Sequence, residues 1–126
     1  AQCGLEARAS GSATATASTF RDNHRSNVWA LERGCVEVRS CKCSRSGAFG
    51  LAVYDAGNTA SATSSTIIMN GYSNVLACRG GRSTLKQCSC GGSRSWGLRA
   101  LGSGSCITSD AATIRSAAGS GLRGYG

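Results

Sequence analysis

Eight cysteines in a chain of 126 residues constrain this sequence more than anything else in it. Four of them fall within Asn74–Cys106, as Cys78, Cys88, Cys90 and Cys106, together with five of the fourteen basic residues and one of the two tryptophans. That stretch contains no Asp or Glu, so it reads as a cross-linked, uniformly cationic surface. An even cysteine count leaves no obligatory free thiol. Two Cys-x-Cys pairs, Cys41/Cys43 and Cys88/Cys90, place side chains two apart on one strand face, from which each pair can bond neighbouring elements.

The rest of the composition sharpens this expectation. Ala, Ser and Gly dominate, against two Phe, two Trp, three Tyr and one Met. Burial returns roughly 25 cal/mol per Å² of apolar surface, and small side chains offer little of it. Four disulfides at about 2–4 kcal/mol each would supply the difference. The sequence therefore predicts that Cys3, Cys35, Cys41, Cys43, Cys78, Cys88, Cys90 and Cys106 all pair within the chain. An oxidising compartment follows, and with it a secreted, extracellular protein. Thiolate metal sites favour two to four residues between cysteines rather than one, so no metal and no cofactor are expected.

In chain order, Ala9–Phe20 alternates Ala with Ser or Thr, which suits a strand with one small apolar face; a flexible or glycosylated tail shares that composition. Ala13–Thr19 is expected to be extended and paired, within the chain or with another copy. Arg21–Ser26 is a polar turn. Strands are expected at Asn27–Arg39 and Ala48–Tyr54, with turns at Ser44–Gly47 and Asp55–Asn58. Ser64–Leu76 reads as a helix, since Ile68, Tyr72, Val75 and Leu76 fall on one helical face. Asp110–Ala118 reads as a second, capped by Ser109 and stopped by Gly119. The fold class expected is α+β: a small disulfide-rich domain with an antiparallel sheet and one or two short helices. Residues 1–26 form an Ala/Ser/Thr-rich extension, 27–118 the domain and 119–126 a Gly-rich tail. No apolar run approaches a membrane span, and any export leader is expected to have been removed already.

Charge points to the partner. The formal net charge is +8. Residues 1–63 carry seven basic and five acidic groups, whereas residues 64–126 carry seven and one. The field belongs to the second half and favours an acidic ligand or polyanion. Arg79, Arg82, Lys86, Arg94 and Arg99 are the expected binding residues, with Trp96 as a stacking platform. One Arg-Gly-Gly-Arg between cysteines is weak support for a nucleic-acid partner. His24 is the only imidazole, and six scattered carboxylates single out no acid–base pair, so an enzyme is not expected. Gly119–Gly124 matches a dinucleotide fingerprint literally, but such a motif needs a following helix.

The central block resembles scavenger receptor cysteine-rich (SRCR) domains. Asn74-Val75 precedes Cys78, with Gly80, Leu85 and Cys88 two, seven and ten residues on, and Cys106 eighteen further. Gly34-Cys35-Val36-Glu37-Val38 is similar to that family's opening strand, and Phe49–Asp55 to its Trp-Gly-x-Val-Cys-Asp stretch. Phe49 stands for the Trp, the following Cys is missing, and Arg82 replaces an acidic residue that helps bind a cation. The resemblance implies a curved antiparallel sheet cradling a helix, and ligand binding without catalysis.

The expected function is thus a secreted, disulfide-stabilised binding module with a cationic face for acidic ligands or glycans. The alternatives are a subunit of an extracellular fibre, with copies of itself as partners, and a cationic toxin or antimicrobial protein, which would lack an obvious membrane element.

Overall fold

A computed structural model describes residues 2–115 and the backbone of residues 120–124. The chain winds into stacked, three-sided coils. The first holds β1 (Leu5–Ala7), β2 (Ser12–Thr16) and β3 (Thr19–Arg21). The second holds β4 (Ser26–Ala30), β5 (Cys35–Arg39) and β6 (Lys42–Ser44), the third β7 (Phe49–Tyr54), β8 (Thr59–Thr63) and β9 (Thr66–Ile68). The fourth holds β10 (Ser73–Cys78), β11 (Arg82–Lys86) and β12 (Ser89–Gly91), the fifth β13 (Trp96–Leu101), β14 (Cys106–Asp110) and β15 (Thr113–Arg115). A final strand, β16 (Ser120–Gly124), begins a sixth turn. Each strand pairs in parallel with its counterparts in the neighbouring coils. Three parallel sheets result, the first of six strands and the others of five.

A solenoid is the solution open to a chain with few large side chains. Each coil is a layer whose interior is only a few side chains wide, so Ala, Val, Cys and Leu suffice to fill it. The inward positions stack in columns: Leu5, Val28, Leu51, Val75 and Leu98 in the first sheet, and Phe20, Cys43, Ile67, Cys90 and Ile114 in the third. Val28, Leu51, Val75, Cys43 and Ile67 are fully buried.

The corners are made by left-handed residues, mostly without glycine. The second corner turns on one residue per coil, Ala17, Ser40, Ser64, Gln87 and Ala111, with φ between 49° and 52°. A left-handed non-glycine residue costs roughly 1–2 kcal/mol. Hydrogen bonds between coils offset it, because the N–H of each of the first four donates to a carbonyl of the next coil: Ala17 to Arg39, Ser40 to Thr63, Ser64 to Lys86 and Gln87 to Asp110, all at 2.9–3.0 Å.

A buried polar column lines the third corner. Asn27 Nδ2 donates to Ser44 O and to Asn70 Oδ1, while Asn27 Oδ1 accepts from Asn23 Nδ2. Asn70 Nδ2 donates in turn to Asn74 Oδ1 at 2.9 Å, and Asn74 Nδ2 to Gly91 O at 3.0 Å. Room for these amides comes from the coils between them. A Cβ at Gly50 would lie 2.6 Å from Asn70 Nδ2.

This architecture corrects the α+β expectation. All strand pairing is parallel, and among the described residues there is no helix. The segment expected as a helix at Ser64–Leu76 is β9, a corner and the start of β10; the matching apolar positions lie on two different sides of the coil. Asp110 closes β14 and Thr113–Arg115 is β15, while residues 116–118 of the second expected helix lie outside the described residues. The Ala/Ser/Thr alternation is strand β2, paired with β5 of its own chain.

The disulfide expectation is corrected too: all eight cysteines are free thiols. The reason is geometric. Adjacent coils lie about 4.8 Å apart, and equivalent cysteines occur on alternate coils. Ile67 separates Cys43 from Cys90, and Ser65 lies between Cys41 and Cys88 in the coil order. Two coils amount to about 10 Å, beyond the 4.4–6.8 Å or so that a disulfide spans between Cα atoms. Cys35 and Cys106 share a column three coils apart. Burial instead makes four of these sulfurs part of the core, and it pushes the Cys43 and Cys90 thiols up to about 12.

Candidate functional site

The six residues expected to form one cationic face are spread over two sides and two corners of the solenoid. Arg79 sits at the first corner of the fourth coil, Arg82 and Lys86 point outward from the second sheet, and Arg94 lies at the third corner. Trp96 opens β13, and Arg99 follows on the same strand. Strand alternation and three sides per coil scatter residues that are close in sequence. Arg79 and Arg99 converge on Tyr54.

That convergence marks the most distinctive outer surface. On the first sheet, Glu6, Trp29, Ala52, Leu76 and Arg99 form one column on the side away from the core, although Ala52 and Leu76 within it are buried. Tyr54, Cys78 and Leu101 form the next. The Trp29 and Tyr54 rings meet edge to face with centroids 5.8 Å apart. Each ring also faces a guanidinium: Arg25 lies 5.8 Å from the Trp29 centroid and Arg79 lies 5.6 Å from that of Tyr54. Arg79 Nε is held in turn by Asp55 Oδ1 at 2.8 Å. The strip therefore runs Arg25–Trp29–Tyr54–Arg79–Asp55 across the sheet.

Its electrostatics are lopsided. Glu6 is tied to Arg8 at 2.8 Å and Asp55 to Arg79, whereas among the described residues no ion pair engages Arg25 or Arg99. Burial raises the Tyr54 phenol above its ordinary range, with Cys78 adding to the shift while Arg79 and Arg99 oppose it. Trp29 Nε1 and Arg99 Nε are shut off from solvent with no acceptor among the described residues. Donors left in that state cost about 1–3 kcal/mol each.

Sequence reasoning placed Arg79 and Arg99 among the binding residues but missed Arg25, Trp29, Tyr54 and Asp55. The signal that would have found them is the coil period. Glu6, Trp29 and Ala52 recur at 23-residue intervals, so a repeat reading places them in one column.

Among the described residues no group of His, Cys, Asp or Glu is arranged to hold a metal ion. No helix among them is long and apolar enough to cross a membrane.

Comparison with known proteins agrees with the geometry. The family model described as "Right handed beta helix region" matches residues 2–125. No curated protein matches, and no solved structure does. That match, with the parallel coils, overturns the SRCR resemblance: Gly34–Val38 and Asn74–Cys88 belong to the second and fourth turns of a solenoid rather than to an antiparallel sheet around a helix. The disulfide-stabilised cationic module falls with it, as does the toxin alternative that shared its disulfides and charge, because the thiols are free and the cations dispersed; the fibre alternative loses its Ala/Ser/Thr segment, which is strand β2 paired within its own chain. The family includes enzymes such as pectate lyases and glycosidases. With its model matched over nearly the whole length, the chain belongs to the right-handed beta helix family.

Proposed function

We propose that this chain is a non-catalytic docking scaffold whose first sheet presents the Arg25–Trp29–Tyr54–Arg79 strip to a partner protein with an acidic and apolar contact surface. The strip itself carries this reading. Trp, Tyr and Arg are the residues that dominate binding energy at protein interfaces, and here they form one preorganised cluster on a flat parallel sheet. Solenoids offer extended surfaces of this kind. Arg25 and Arg99 supply positive charge with no carboxylate partner among the described residues. Leu31 and Leu101, both partly exposed, add apolar area beside them.

The non-catalytic half of the reading rests on the carboxylates. Glycoside hydrolysis uses two carboxyl groups in different protonation states. On this face Glu6 and Asp55 are each engaged by a neighbouring guanidinium, Arg8 and Arg79, and among the described residues no second carboxylate is paired with either.

The test uses short synthetic peptides of alternating Glu and Leu, with Glu/Ser and Lys/Leu peptides as controls. Binding is read from Trp29 fluorescence in a Trp96→Phe background. The Glu/Leu peptide should bind best, and Arg25→Met with Arg99→Met should abolish that preference. Equal binding of Glu/Ser and Glu/Leu peptides, or binding unaffected by the two substitutions, would overturn the docking reading.

A further inference from the structure

A second surface lies at the third corner and uses residues that the strip does not. There the left-handed positions are Asp22, Arg45, Met69 and Gly92, with φ between 52° and 64°. Two residues further on in each coil come His24, Gly47, Gly71 and Arg94. A Cβ at Gly47 would sit 2.1 Å from His24 O, and one at Gly71 would sit 2.1 Å from Gly47 O. The coils therefore stack here with no side chain between them, and the corner sinks into a trough. Gly47 and Gly71 form its floor and Arg45, Met69 and Arg94 its walls, around a volume of about 330 Å³.

A smaller depression of about 130 Å³ adjoins it, lined by Thr19, Arg21, Lys42 and Ser44, and sharing Arg45 and Met69. The pair of depressions thus gathers four cations: Arg21, Lys42, Arg45 and Arg94. None of the described lining residues is a carboxylate. Asp22 pairs with Arg45 at 2.9 Å and with Arg21 at 3.8 Å, which leaves a local excess of three positive charges and holds two guanidiniums together.

We infer that this double trough is an anion site for a ligand carrying two or more phosphate or sulfate groups. Arg21, Lys42 and Arg45 take one group in the smaller depression, where the Thr19 hydroxyl is at hand. Arg45 and Arg94 take the next along the trough. Arg45 belongs to the second coil and Arg94 to the fourth, so their backbones stand about 10 Å apart along the axis. A single oxyanion cannot fill both depressions, but a short chain of them can. Guanidinium suits the role because its planar N–H pairs match the edges of phosphate and sulfate, and the Met69 side chain offers apolar contact to the linker between them.

Calorimetric titration of the full chain tests this with inorganic phosphate, tetrapolyphosphate and a sulfated tetrasaccharide. The two larger ligands separate a phosphate source from a sulfate source. At least one of them should bind more tightly than inorganic phosphate. Arg45→Ala should weaken it about fivefold, the upper end for exposed charge pairs, and Arg45→Ala with Arg94→Ala by about twentyfold. Arg82→Ala with Lys86→Ala, on the second sheet, removes the same charge and should change binding less than about twofold. An equal loss from both double variants would reduce the effect to net charge and overturn the site. So would inorganic phosphate binding as tightly as both larger ligands, or no binding by any of the three.

Discussion

Asn27 Nδ2 donates a hydrogen bond to Asn70 Oδ1 at 3.1 Å, although the two residues are 43 apart in sequence and both are fully buried. The same Asn70 oxygen accepts from Ser46 N at 3.1 Å and from Ser46 Oγ at 2.9 Å. One amide thus ties the second, third and fourth coils together. Asn70→Ala would leave Ser46 N and the Asn74 oxygen without this partner, and would cost Asn27 Nδ2 one of its two bonds, the one to Ser44 O remaining. We expect a loss of about 3 kcal/mol or more, since each unsatisfied buried group costs about 1–3 kcal/mol. Urea unfolding monitored by circular dichroism checks this, and a loss below about 1 kcal/mol would mean that the column contributes little.

Stacking without side chains at the third corner makes a second position sensitive. Gly71→Ala places a Cβ 2.1 Å from Gly47 O, so the third coil must lift off the second. Overpacking of this sort costs about 1–3 kcal/mol. A lowered thermal midpoint is expected, whereas Gly57→Ala, whose Cβ would meet only the Arg33 side chain at 3.8 Å, should cost less despite its φ of 86°.

Thiol chemistry gives a direct check of the fold. The unreduced, denatured chain should report eight thiols. In the native state exposed Cys35 and Cys106 should react first, and buried Cys43 and Cys90 only at the rate of unfolding. Two or more thiols missing from the denatured count would contradict the column geometry.

The buried thiols also set an alkaline limit. Burial raises Cys43 and Cys90 from 9.0 to about 12 in the folded chain. Between those values the unfolded chain has lost these protons and the folded chain retains them, so stability falls as pH rises. Their contribution is fully present below pH 9 and is lost as pH climbs towards 12. Each pH unit within that window should remove about 1.4 kcal/mol per thiol. Unfolding under reducing conditions at successive pH values should show this slope, and Cys43→Ala with Cys90→Ala should flatten it.

Much of the strand content was legible in the residues. Val28, Trp29, Val36 and Val38 sit in β4 and β5, and Phe49–Tyr54 is β7, close to where alternation and apolar runs place them. The topology was not legible from local signals, for a physical reason. Corners at Ala17, Ser40, Ser64 and Gln87 use left-handed backbone without glycine or proline, so no punctuation marks them. At the third corner, Ile68 and Val75 fall at helical spacing although a turn lies between their strands. What did announce the coils was repetition: Ser26-Asn27-Val28 returns as Ser73-Asn74-Val75, and Cys41-x-Cys43 as Cys88-x-Cys90. Read as cysteine spacing, that repetition pointed to disulfides; read as a period, it gives the coil. The trough at the third corner was hidden for the same reason, since Arg45 and Arg94 become neighbours only when the coils are stacked.

The amide column also sets the grain in which such a chain can grow or shrink. Asn27 and Asn74 open the second and fourth coils, while Gly4, Gly50 and Gly97 hold the corresponding place in the first, third and fifth. Losing a single coil would set amide against amide, or bring two bare backbones together over an empty space. Losing or copying two keeps every amide opposite its gap. The heritable module of this solenoid is therefore the double turn of 47 residues, and relatives built on the same plan should differ in length by whole pairs of turns.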